Sequence, residues 1–170
     1  MTSFESERPG CRARILGLFG LGEKRQVTSE FNYRLTDSVL TKAEISFYHV
    51  LRQATPLNTV VMAKVRLADI FNVPRSAPSS QGQRNKISSK HVDFLLCDAH
   101  TLRPLVGIEL DDSSHQRDDR MERDVLVEKI FRNAGLTLLR FPAKQGYVAQ
   151  QVAEQLQRAV ATATVPQVRR

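Results

Sequence analysis

The chain has 170 residues, 41% of them hydrophobic, and a formal net charge of +7 with a pI near 9.8. That is enough for one domain with its own core, and a balance that suits an acidic polymer or anionic surface as partner. Two cysteines, Cys11 and Cys97, exclude a disulfide framework and a zinc ribbon, and no apolar run reaches the length of a membrane span, which makes a cytoplasmic location the default.

Residues 1–36 read as a basic, poorly ordered leader. Within residues 12–25, Arg12, Arg14, Lys24 and Arg25 flank Leu16, Leu18 and Phe19, a pattern that suits weak contact with a surface or a protein. A domain is expected over 37–163 and a disordered tail over 164–170. The first helix is signalled at Thr41, whose spacing to Glu44 fits a capping box, and Leu40, Phe47, Tyr48 and Leu51 make its apolar stripe. Glu44 lies on that stripe, so it serves either as the capping glutamate or as part of a site facing the core side.

Asn58 to Arg66 reads as a strand and Leu67 to Phe71 as a short helical turn. Residues 74–89, rich in Ser, Pro, Gly, Gln and Asn, are expected to be a mobile loop. The loop carries Arg75, Arg84 and Lys86 without one acid, so Arg84 and Lys86 are candidate phosphate contacts. Val92 to Cys97 and Val106 to Asp111 form the next two strands, joined as an antiparallel hairpin through Thr101 to Pro104. Ser113 to Arg123 is strongly charged and leads into a helix with Leu126, Val127, Ile130, Phe131 and Ala134 on its buried face and Arg123 one turn earlier. Asn133 to Gly135 ends it. Leu136 to Phe141 is a fourth strand, with Arg140 opposite Leu139 and Phe141, and Val148, Val152, Leu156, Ala159 and Val160 mark a last amphipathic helix.

The chemistry concentrates where carboxylates interrupt apolar strands. An unpaired charge inside a strand costs far more than strand propensity returns, so Asp93 and Glu109 need compensation. Two-residue alternation puts Glu109 and Asp111 on one face of their strand, and Asp93 on a face with His91 and Leu95. If the strands pair, three acidic oxygen donors converge, a set that suits Mg²⁺ or Mn²⁺, and phosphodiester hydrolysis is the chemistry that most often uses such a site. Lys90, His91, Lys64 and Arg123 are the spare cations. The alternative is quieter: Asp111 and Asp112 close the strand as turn residues, with His115 a loop histidine bonded to them.

The element order α-β-β-β-α-β-α, with a central mixed four-stranded sheet flanked by helices, is that of an α/β restriction-endonuclease-like core. Leu40-Thr41-Lys42-Ala43-Glu44, Val65 to Ile70, Lys90-His91-Val92-Asp93-Phe94, Ile108-Glu109-Leu110-Asp111-Asp112-Ser113-Ser114-His115, Arg123-Asp124 and Gly135 to Arg140 together resemble a bacterial family, domain of unknown function 2726, over about residues 34–145. That family is grouped with the PD-(D/E)xK nucleases, and its Glu-x-Asp-Asp-x-x-His segment is similar to that of very-short-patch-repair-like endonucleases.

The resemblance implies a metal-dependent nuclease acting on nucleic acid, with DNA favoured by analogy alone. It puts Asp93 at the metal-binding aspartate, Glu109 at the second acid, and Asp111 where the superfamily usually has lysine. Asp111 would then join the metal shell and His115 act as general acid or base, while Lys90, His91, Arg123 and Arg140 contact phosphate. Loss of that lysine leaves a second expectation open, a nucleic-acid-binding module that keeps the fold without cleavage. A third is a surface-associated adaptor using residues 12–25.

Overall fold

The computed structural model describes residues 32–111 and 118–164. The 12–25 patch, Cys11, Asp112 to Arg117 with His115, and the tail from Val165 lie outside the described residues. The chain divides into two units, Met1–Asp37 and Ser38–Arg170, and every helix and strand described below belongs to the second.

Its elements are α1 (Lys42–Ala54), β1 (Thr59–Arg66), α2 (Leu67–Ile70), α3 (Ser80–Ser88), β2 (His91–Asp98), β3 (Pro104–Asp111), α4 (Asp118–Ala134), β4 (Thr137–Pro142) and α5 (Ala149–Thr164). The strands form one open sheet in the order β1-β2-β3-β4. The pairs β1/β2 and β2/β3 are antiparallel, and β3/β4 is parallel. That last pairing requires a crossover, which α4 provides.

Both sheet faces are covered. On one, Phe47 and Leu51 of α1 and Val152 and Leu156 of α5 pack on Phe94, Leu96, Val106, Ile108 and Phe141. Phe47 is fully buried and meets Phe141 and Tyr147 at ring centroid distances of 5.0 and 4.7 Å. On the other, Leu67, Ile87, Val127 and Phe131 cover Val92, Leu95 and Cys97. Gly107 admits α4 to this face: a Cβ there would lie 2.3 Å from Cε1 of Phe131. Gly135, at φ 70°, closes α4, and the Leu136 N–H reaches back to the Phe131 carbonyl at 3.0 Å, a Schellman ending. No helix among the described residues is long and apolar enough to cross a membrane.

Four sequence expectations need correction. Within 74–89 stands α3, a nine-residue helix that its composition disguises; the burial of Ile87 beneath Leu67 and Val92 holds it where propensity alone would not. Ala134, the last residue of α4, and Val148, the residue before α5, are exposed. Asp93 does not share a face with Leu95. Val92 and Leu95 both pack in the α4-side cluster, so alternation slips at Asp93, and β1 slips at the same level, Val61 and Val65 packing in opposite clusters.

Candidate active site

The slip on β1 has a local cause. Lys64 stands between the rungs Ala63↔Phe94 and Val65↔Val92 with φ 54°, a left-handed conformation that costs a lysine roughly 1–3 kcal/mol unless its surroundings enforce it. Here they do. The Lys64 ammonium forms a short ion pair with Oε1 of Glu44 and lies 3.3 Å from Oδ1 of Asp93. Glu44 is buried and uses both oxygens: Oε2 accepts from the Thr41 N–H at 2.7 Å, completing the capping box, and Oε1 holds Lys64. Glu44 thus caps α1 with one oxygen and holds Lys64, beside Asp93, with the other.

The second oxygen of Asp93 explains where the sheet opens. Strands β2 and β3 are paired from Cys97↔Pro104 to Phe94↔Ile108. Beyond that rung the backbone ladder stops, and Oδ2 of Asp93 instead accepts the Leu110 N–H at 3.0 Å. A cleft of about 690 Å³ lies at this parting, lined by Thr41, Glu44, Lys64, Lys90, His91, Asp93, Glu109, Asp111, Arg123, Asp124 and Arg140 among others. Because β2 begins at His91, Lys90 escapes the strand's alternation and reaches the cleft.

The cleft has two banks. On the first, Lys64 connects Glu44 and Asp93, and His91 presents Nε2 3.5 Å from the Lys64 ammonium. Burial of the His91 ring, with the Lys64 charge beside it, holds its pKa below the usual imidazole value, although Asp93 opposes this. Burial also opposes ionisation of Glu44 and Lys64, but their mutual attraction, with the Thr41 hydrogen bonds to Glu44 and Asp93 beside Lys64, outweighs it: Glu44 is lowered and Lys64 raised.

On the second bank, Glu109 is 4% exposed. Arg123 approaches its Oε1 only to 3.8 Å, and that oxygen finds no hydrogen-bond donor among the described residues. Burial pushes the Glu109 carboxyl up to about 7, against the pull of Arg123. Arg123 meanwhile donates to the His91 carbonyl at 3.3 Å, tying α4 across to β2. Arg140, the register partner of Glu109 on β4, pairs with Asp111 at 2.6 Å and with Asp124 at 3.6 Å.

The fold thus gathers Glu44, Lys90, His91, Asp93, Glu109, Asp111, Arg123 and Arg140 around one cleft. Arg84 and Lys86 do not line it; they sit on α3, the first half-buried and the second exposed. His115 lies outside the described residues. Lys64, taken from sequence only as a spare cation, and Asp124 are additions. The signal for Lys64 was the one that singled out Asp93, a charge inside a Val-rich strand; Asp124 gave none, as one acid in a charged helical turn.

Among the described residues no three His, Cys, Asp or Glu side chains are grouped closely enough to hold a metal ion by themselves. Mg²⁺, however, takes one or two carboxylates and keeps several waters. Asp93 and Glu109, on strands that part at this point, fit that requirement, with Oε1 of Glu109 lacking a hydrogen-bond donor among the described residues. Asp111 is turned to Arg140 instead.

A family model described as a protein of unknown function (DUF2726) matches residues 36–160, and the chain belongs to that family. No curated protein and no solved structure matches it.

Proposed function

We propose that this DUF2726 protein is a metal-dependent, nuclease-like enzyme that hydrolyses phosphodiester bonds in nucleic acid, DNA foremost. On this reading its sheet is a restriction-endonuclease-like core of the PD-(D/E)xK kind, similar to very-short-patch-repair-like endonucleases. The observation that carries the proposal is Glu109, a buried carboxylate whose Oε1 has no hydrogen-bond donor among the described residues and only Arg123, at 3.8 Å, as counter-charge, lining a cleft that also holds Lys64, Lys90 and Arg140. A carboxylate that forgoes water without gaining a donor calls for a cation, and the surrounding positive groups suit a phosphate.

Bound Mg²⁺ or Mn²⁺ supplies Lewis-acid charge and makes water a nucleophile at neutral pH. Asp93 and Glu109 hold the cation. Asp111, now paired with Arg140, would be a third carboxylate beside them if a phosphate engaged Arg140. Lys90 and Arg123 bind phosphate oxygens, and Arg84 and Lys86 extend the nucleic-acid contact along α3. His115 transfers the proton by the family resemblance; His91, kept neutral in the cleft, is the second imidazole available for it. A cytoplasmic location belongs to the same reading.

The test is nicking of supercoiled plasmid by the full chain in Mg²⁺ or Mn²⁺. Nicking should require the metal and fall by about a hundredfold or more in Asp93→Ala and Glu109→Ala, each checked for a native unfolding transition. A second reading, a binding module without cleavage, draws on the pairing of Asp111, at the usual lysine position, with Arg140. Duplex binding with no nicking in either metal selects that module.

A further inference from the structure

We propose that Lys64 is a resident counter-cation of the site: it neutralises Asp93 until a divalent cation takes that carboxylate, then turns its ammonium to the substrate phosphate while Glu44 keeps hold of it. The inference rests on the reading of Asp93 as a metal ligand and adds a role for a residue the motif does not contain.

Three observations carry it. The grip on Lys64 is unequal, since Oε1 of Glu44 forms the closer pair and Asp93 stands at 3.3 Å. Asp93 is the partner more readily given up. Its Oδ2 is committed to the Leu110 N–H, so Oδ1, the oxygen Lys64 covers, is the one an incoming cation would take. The left-handed backbone of Lys64 turns the side chain to the face of Glu44 and Asp93, where regular alternation from Val61 would not put it. An ammonium is also a compact charge on a flexible stem, able to shift its contact while its anchor holds. Finally, Glu109 lines the same cleft, its Oε1 without a hydrogen-bond donor among the described residues and with Arg123 only at 3.8 Å, so a cation displacing Lys64 has a second carboxylate beside it.

A counter-cation competes with the metal it precedes. Removing the Lys64 charge should therefore strengthen metal binding in the absence of nucleic acid, while the phosphate contact is read separately, from nicking. A divalent ion about 6 Å from an ammonium, even at a water-like dielectric, is opposed enough for the affinity to change about tenfold.

The experiment is calorimetric titration of Mn²⁺ into the full chain without nucleic acid, using wild type, Lys64→Met, Asp93→Asn and the double variant Glu44→Gln/Lys64→Met. The double variant removes the orphaned Glu44 charge and guards against misfolding of the single one, and thermal unfolding checks each. Both Lys64 variants should bind Mn²⁺ about tenfold more tightly than wild type, Asp93→Asn should lose binding, and Lys64→Met should nick plasmid more slowly despite its fuller metal occupancy.

If the Lys64 variants bind Mn²⁺ no better than wild type while Asp93→Asn loses it, the counter-cation role is overturned and the metal reading stands. Unchanged nicking in Lys64→Met overturns the phosphate contact. If wild type and Lys64 variants alike bind no Mn²⁺, the metal reading falls and this inference with it.

Discussion

Glu109 enters the fold at a cost set by its protonation state. Its folded pKa of about 7 lies above the ordinary value of 4.5, because burial disfavours the charge more than Arg123 favours it. Between those values the folded chain binds the proton that the unfolded chain releases. The contribution to stability is thus fully present below pH 4.5 and is lost as pH rises through 7. Glu109→Gln should accordingly be more stable than wild type at pH 8, by on the order of 3 kcal/mol, with no difference at pH 4. Urea unfolding midpoints at the two pH values measure this, and a gap independent of pH would show that Arg123 fully compensates the charge. Saturating Mg²⁺ should narrow the gap at pH 8 if the ion binds the ionised form, since a ligand of the native state stabilises it. That Asp93 and Glu109 need counter-charges was legible from residue type alone, carboxylates inside apolar strands. Which cation answers each acid was not, because Lys64, Arg123 and Arg140 come from three other elements.

At the scale of elements, the joint between β3 and α4 is the tightest. Gly107 leaves Phe131 room to lie flat on the sheet, where it also meets Phe71 edge-on at 4.9 Å. Gly107→Ala would put a methyl 2.3 Å from the Phe131 ring and 3.2 Å from Leu138, so a rigid buried ring must move. A loss of about 1–3 kcal/mol is expected, with partial recovery in Gly107→Ala/Phe131→Leu, read from denaturant midpoints as a double-mutant cycle. Displacing α4 also carries Arg123 away from Glu109, so the overpacked variant should lose nucleic-acid affinity as well as stability. Strands, hairpin and the three long helices were readable from periodicity and caps; α3 was not, since of its nine residues only Ile87 is buried and only Ser80 and Arg84 are half-buried.

For the molecule as a whole, a net charge of +7 says nothing about where a polyanion would lie. On the proposed function the cleft is that place, with Lys64, Lys90, Arg123 and Arg140 along the same opening as five acids. Binding of a fluorescent duplex should weaken steeply with salt as condensed counterions are released. Arg123→Gln should lower the slope of log K against log salt by about one, the share of a single phosphate contact. An unchanged slope would place the nucleic acid elsewhere, and Arg84→Gln and Lys86→Gln would then be the variants to compare.

By itself the sequence determined the strands, the three long helices, the antiparallel hairpin, the capping box at Thr41 and the presence of acids that must be compensated, because each depends on residues within a few positions of one another. Tertiary structure alone decided the geometry of compensation. The left-handed Lys64 and the parting of β2 from β3 at Asp93 depend on chains 20 to 30 residues apart meeting at one rung, as Lys64 meets Glu44 and Asp93. Alternation cannot foresee such a slip, since it assumes every rung of the ladder is made, and the site stands where one is not.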